Sequence, residues 1–267
     1  MYMLFVSLFT LTDLCSNDIY QNGVFTSTLS SSDVSASNKL LHDITNMLHR
    51  CNIDYIIDGG TLVGSLLHHG NIPWDDDIDI LISLSQLKRL FKCTDNLPFK
   101  MFSAEKGAYY KVWDTRNPHV DNHRIWGFPF IDIGILSENS THTWELRSLN
   151  KKYKQHIYNK SWLYPHVKRM YDNIIVSAPR DGFSMLNHRM GKSWHTKCVH
   201  VNWNHKLERK IWKNCPTIQS ITSNCDNLSI AHVKRIQINS SHIYEHLIDP
   251  TNTVIHTHLY INNSFQY

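Results

Sequence analysis

Four aspartates fall within five positions, Asp75 to Asp79, and the one interruption is Ile78. Like charges this close repel, and burial raises their pKa values, so such a run must be either solvated or neutralised by a cation. The flanking residues argue against a plain solvated turn. Pro73-Trp74 leads into the run, and Ile78 and Ile80 alternate with Asp77 and Asp79. Side chains two apart on a strand share a face. Asp77 and Asp79 therefore project together while Ile78 and Ile80 turn to a core. Asp75 or Asp76 occupies the turn before the strand. Phe130-Ile131-Asp132-Ile133 repeats the alternation, and if the two strands are neighbours, Asp132 joins the pair. An all-oxygen site of this kind suits Mg²⁺ or Mn²⁺. An EF-hand does not fit, because the glycine and closing glutamate of that loop are missing.

Upstream, Gly59-Gly60-Thr61 stands at a strand-to-helix junction, with Gly64-Ser65 one turn later. Glycine lets backbone approach a phosphate closely, and a helix N-terminus offers free N–H groups. A glycine pair followed by Asp-x-Asp on a strand is the pattern of the nucleotidyltransferase fold. Arg180 follows Ala178-Pro179 and is a candidate phosphate ligand, since guanidinium pairs with phosphate bidentately.

The rest of the chain reads as one large α/β or α+β domain over about 38–210, a mixed sheet flanked by helices. Leu40, Leu41, Ile44, Leu48 and Cys51 recur at helical spacing, with Ser35 or Ser37 as N-cap. Strands are expected at Tyr55–Asp58, Ile78–Ile82, Tyr109–Thr115, Phe130–Leu136 and Asn173–Val176, and helices at Thr61–His68, Gln86–Phe91 and Gly182–Met190. Residues 22–38, rich in Ser and Thr, read as a linker or stem within an N-terminal segment 1–37. The polar tail, 211–267, carries no clear pattern. A net charge of +4 without a basic stripe gives no case for nucleic acid.

Met1 to Phe9 is a short apolar run, under the roughly 20 residues a bilayer span needs. It resembles the core of a signal peptide more than an anchor. Five N-x-S/T sequons, at Asn139, Asn159, Asn227, Asn239 and Asn262, fit a secretory route. The six cysteines are scattered; Cys215 and Cys225 are close enough in sequence to pair in an oxidising compartment. His195, Cys198 and His200 match no common zinc spacing, and a buried or disulfide-bonded Cys198 fits better.

Gly59 to Ser65, His68-His69-Gly70 and Ile72 to Asp79 together resemble the signature of the LicD/fukutin family. Trp126 to Ile133 is similar to the family's second acidic strand, and Ala178-Pro179-Arg180 and Cys198 to Glu208 to its downstream segments. The resemblance implies a nucleotidyltransferase-like fold and a phosphotransferase of substituted phosphate groups. Such an enzyme moves a phospho-alcohol, of the phosphocholine or ribitol-phosphate type, from a CDP-linked donor to a glycan or glycoprotein hydroxyl. Carried over, Asp77, Asp79 and Asp132 are the catalytic and metal residues, with Asp75 an auxiliary ligand. Gly60, Thr61, Gly64, Ser65 and Arg180 would hold the donor. It also implies the Golgi lumen or membrane, weak membrane association and other Golgi transferases as partners. Leu67 stands where many members carry Arg, which favours a second reading: an inactive member acting as a glycan-binding or scaffold protein.

Overall fold

The computed structural model describes residues 25–261 apart from 96, 120–123, 150–155, 214, 216, 240 and 241. The signal-like run, Cys15 and the Asn262 sequon lie outside the described residues.

Helix α1 (Ser31–Arg50) starts earlier than the spacing of its leucines suggests. Ser30 is its N-cap, and Ser30 and Asp33 form a reciprocal capping box. Residues 31–38 are thus helix rather than linker, and neither Ser35 nor Ser37 is the cap. Ser and Thr density misled because these residues favour helix starts as well as loops. The helix buries Leu40, Leu41, Ile44, Met47 and Leu48, and each such side chain contributes roughly 1.5–3 kcal/mol. Cys51, its C-cap, is disulfide-bonded to Cys93.

β1 (Tyr55–Ile57) leads into α2 (Gly59–His68), and β2 (Ile78–Ser83) follows. After α3 (Leu87–Thr94) come β3 (Phe99–Ala104), β4 (Tyr109–Asp114), β5 (Phe130–Glu138), β6 (His142–Glu145) and β7 (Ile157–Asn159). The sheet runs β1-β2-β5-β4-β3, and β6 pairs with both β5 and β7. β2 and β5 are parallel, whereas β1–β2, β3–β4 and β4–β5 are antiparallel. Ile80, Ile82, Val112, Ile131, Ile133 and Ile135 fill its core.

α4 (Lys160–Leu163), the hairpin β8 (Val167–Tyr171) and β9 (Ile174–Ala178), and α5 (Gly182–Met190) complete the main body. The tail is ordered structure. β10 (Lys197–Val201) pairs with β11 (Ser220–Asn224), and β12 (His232–Asn239), β13 (His242–Ile248) and β14 (Val254–Ile261) form an antiparallel sheet. Cys225 bonds Cys198, not Cys215, which is itself disulfide-bonded. The β10–β11 register sets this choice by placing Lys197, beside Cys198, opposite Asn224, beside Cys225. Among the described residues no helix is long and apolar enough to cross a membrane.

Candidate active site

β2 is pinned by its isoleucines. Ile78, Ile80 and Ile82 are at most 3% exposed, which leaves Asp79 to face the opposite side. In the parallel pairing Asp79 lies beside Asp132, and Lys111 of β4 flanks Asp132 on the other side. One oxygen from each of Asp77, Asp79 and Asp132 lies within 4.8 Å of the others. The convergence expected from the two alternating segments is therefore present.

Two bonds fix Asp79 to the start of α2. Thr61 Oγ1 accepts from its backbone N–H at 2.8 Å, and its carbonyl accepts from Asp58 N–H at 3.1 Å. Gly59, at φ 54°, lies against it: a Cβ there would come within 2.6 Å of Asp79 Oδ2. Asp58 is ion-paired with Arg189 of α5, which lies 3.7 Å from Glu145 as well.

Charge on Asp79, Asp75 and Asp132 is costly. Burial, then the charges of Asp77, Asp132 and Asp58, hold the Asp79 pKa well above the ordinary carboxylate range. Burial and Asp77 do the same to Asp75. Asp132 is pushed up to about 6 by burial, although Lys111 opposes the rise. Lys111 Nζ sits 3.1 Å from both Asp132 oxygens and 3.7 Å from the Phe130 ring centre.

Asp76 turns away from the cluster and is buried. It accepts from the backbone N–H groups of His205 and Lys206 at 3.1 and 3.0 Å, and lies 3.0 Å from His205 Nδ1. The His205 Nε2 atom is then 3.3 Å from Asp77 Oδ2. Burial alone would lower the His205 pKa, but Asp77, Asp76 and Asp75 outweigh it and raise it to about 10.

The other residues singled out from sequence take different places. Asp75 hydrogen-bonds Asp77 and stands one step behind the three. Gly60 faces the Asp75 carboxylate, which a Cβ there would strike. Thr61 is 1% exposed, with its hydroxyl committed to Asp79. Gly64 is buried where a Cβ would hit the Gly70 carbonyl. Ser65 is fully buried, bonded to Met170 O at 2.6 Å and to Arg169 Nε at 3.2 Å. Thr61, Gly64 and Ser65 thus brace the site rather than line it, because α2 turns those positions into the core. Arg180 is half-buried in the turn before α5, and the guanidinium whose charge reaches Asp79 is Arg189. The roles of Arg189, Asp58 and His205 had no local signal in sequence, since each meets the acidic run only through the fold.

The glycine turn before an acidic strand, with a third carboxylate on its parallel neighbour, is the arrangement of a nucleotidyltransferase-type domain. Residues 52–181 match the LicD/FKTN/FKRP nucleotidyltransferase domain. The matched span contains all three converging aspartates, whereas Arg189 and His205 lie beyond it. The chain is 33% identical over 99 residues to the lipopolysaccharide cholinephosphotransferase LicD of Haemophilus influenzae, covering 33% of this chain and 37% of that protein. It is 22% identical over 156 residues to the ribitol 5-phosphate transferase FKRP of Mus musculus, covering 55% and 30%. The chain spans about half or less of the length of the curated relatives it matches. Among solved structures, the lincosamide antibiotic adenylyltransferase LnuA aligns with a TM-score of 0.35 at 14% identity, over 61% of this chain and 98% of that one.

Proposed function

We propose that this protein transfers a phospho-alcohol or phospho-sugar from a CDP-linked donor to a glycan hydroxyl, and that Mg²⁺ or Mn²⁺ is its cofactor. The observation that carries the reading is the convergence of Asp77, Asp79 and Asp132. Three hard oxygen donors, two of them with raised pKa values, form a site whose charge a divalent cation relieves. Asp77, Asp79 and Asp132 would hold the ion, which supplies neutralisation of charge on the donor pyrophosphate. The acceptor oxygen attacks the phosphorus that carries the alcohol, the bond to the cytidine monophosphate oxygen breaks, and the hydroxyl proton passes to a base. Lys111 holds Asp132 in place and adds positive charge at the edge of the cluster. Thr61 and Gly59 hold Asp79 against α2.

The cysteine pairs 51–93 and 198–225 favour an oxidising compartment, which supports the lumen of the secretory pathway; the Golgi is proposed on the family resemblance alone. The position of Leu67 supports the enzyme reading over the inactive, scaffold-like one. It packs against the core at the end of α2 away from Gly59 and Gly60.

Titration of the protein with Mn²⁺, followed by incubation with CDP-ribitol or CDP-choline and mass analysis of a glycan acceptor, tests the proposal. Wild type should bind Mn²⁺ and release cytidine monophosphate, whereas Asp77→Asn and Asp79→Asn should do neither. Full transfer by either variant sinks the assignment. An acceptor that gains a cytidylyl group would instead mark a nucleotidyltransferase.

A further inference from the structure

A cavity of about 790 Å³ among the described residues lies apart from the carboxylate cluster. It opens between α2, α5, the Cys225 turn and the β12–β13 sheet. Gly59 and Gly60 at the start of α2 touch Asp79 and Asp75, while Leu67 and His68 at its end line the cavity. One ten-residue helix therefore separates the two, a distance of roughly 15 Å.

With its three histidines, His68, His195 and His232, neutral, its lining carries net negative charge. Asp181, Asp226 and Asp249 line it, against a single guanidinium, Arg235, which is already ion-paired with buried Glu245 at 2.8 Å. A phosphate or nucleotide would meet net negative charge. Most of the remaining polar lining is neutral and offers hydrogen bonds: Ser184, Asn187, Asn227, Ser229 and Asn252. Asn187 Oδ1 accepts from Trp194 Nε1 at 3.0 Å, which orients its amide nitrogen as a donor. Between these groups lie apolar surfaces from Leu67, Phe183, Val233 and Pro250. Carboxylates, amides and hydroxyls set around apolar patches complement a ligand with alternating hydroxyl edges and C–H faces. The volume exceeds what a single small ion needs and lies within the range of organic ligand sites.

We propose that this cavity is a saccharide-binding site that takes a neutral oligosaccharide of a few rings. If the transferase reading holds, it docks a distal part of the acceptor chain while the reacting hydroxyl reaches the carboxylates along α2. Binding itself requires neither metal nor donor, so it can be measured apart from that reading.

Saturation-transfer NMR and calorimetry on the full chain in EDTA, with chitotetraose, cellotetraose and maltotetraose, provide the test. At least one should bind with a millimolar constant, and glucose 1-phosphate should bind at least about tenfold more weakly. Ser184→Arg, in the wall, and Ser229→Trp, at an exposed loop position, should each weaken saccharide binding by about tenfold or more. Asp79→Asn should bind as wild type does. No signal from any of the three tetrasaccharides at about 10 mM, or undiminished binding in both cavity variants, overturns the proposal. Saccharide binding in a protein that transfers nothing keeps the cavity and removes the transferase; transfer with no saccharide binding does the reverse.

Discussion

Asp76 holds His205 at three points, two of them backbone N–H groups of the 205–206 segment and the third the imidazole ring. This fixes His205 Nε2 at 3.3 Å from Asp77, so a segment more than a hundred residues downstream closes one side of the acidic cluster. The run Asp75 to Asp79 thus divides its labour. Asp77 and Asp79 face inward with Asp132, and Asp76 anchors the wall opposite.

The first prediction concerns that anchor. Asp76→Ala removes an acceptor from three donors and leaves the two backbone N–H groups without it. Hydrogen bonds to a charged group are worth about 1.5–3 kcal/mol each, with strong non-additivity. A loss of about 2–4 kcal/mol is expected in urea unfolding, together with accelerated hydrogen exchange at His205 and Lys206. Unchanged exchange at those two amides would show that the segment is held by something else.

The second concerns repulsion. Since burial and neighbouring charge raise the Asp79 pKa, the ionised side chain destabilises the metal-free fold at neutral pH. Asp79→Asn is expected to raise the melting temperature in EDTA and to lack the further rise expected of wild type when Mn²⁺ is added. A variant that melts lower than wild type in EDTA contradicts this electrostatic account.

The acidic strand was legible because its information is local. Alternation of Asp with Ile specifies a face, and the same alternation at Phe130–Ile133 named the partner strand. The bracing residues were not legible in the same way. Gly64 and Ser65 look like phosphate-loop residues in sequence, but the helical period rotates them into contact with Gly70 and Met170. The start of α1 was misplaced because a capping Ser and a linker Ser are the same residue until the reciprocal bond with Asp33 is seen. The tail, 211–267, is polar and shows no clear pattern in sequence, yet it supplies Glu245. That residue's partners are Arg169, Arg235 and His69, and a pairing across so many residues leaves no periodic trace.

Glu245 gives the third prediction, on pH. Burial would raise its pKa, but Arg169, His69 and Arg235 overcome this and hold it at about 2, below the ordinary 4.5. A folded pKa below the unfolded one means that the unfolded state binds more protons between the two values, so stability falls as pH drops through that window. The contribution is fully present above about pH 4.5 and lost toward pH 2. Its size is at most roughly 3 kcal/mol by linkage. Glu245→Gln should lose about that much at pH 7 and show a flatter stability profile between pH 4.5 and 2 than wild type. Parallel profiles for the two proteins would assign the acid sensitivity elsewhere.

The last prediction separates the two glycines that open α2. Gly59 has φ 54°, where a side chain is strained, and its missing Cβ makes room for Asp79 Oδ2. Gly60 has an ordinary φ, and its missing Cβ makes room for Asp75 instead. Gly59→Ala therefore displaces one of the three converging carboxylates, at a backbone cost of about 1 kcal/mol or more. It should weaken Mn²⁺ binding at least about tenfold, which corresponds to 1.4 kcal/mol. Gly60→Ala moves only Asp75, which lies outside the three, and should weaken binding less. Calorimetric titration of both variants decides the order. If Gly60→Ala is the more damaging, Asp75 belongs to the ion's own ligands and the site is a four-carboxylate one.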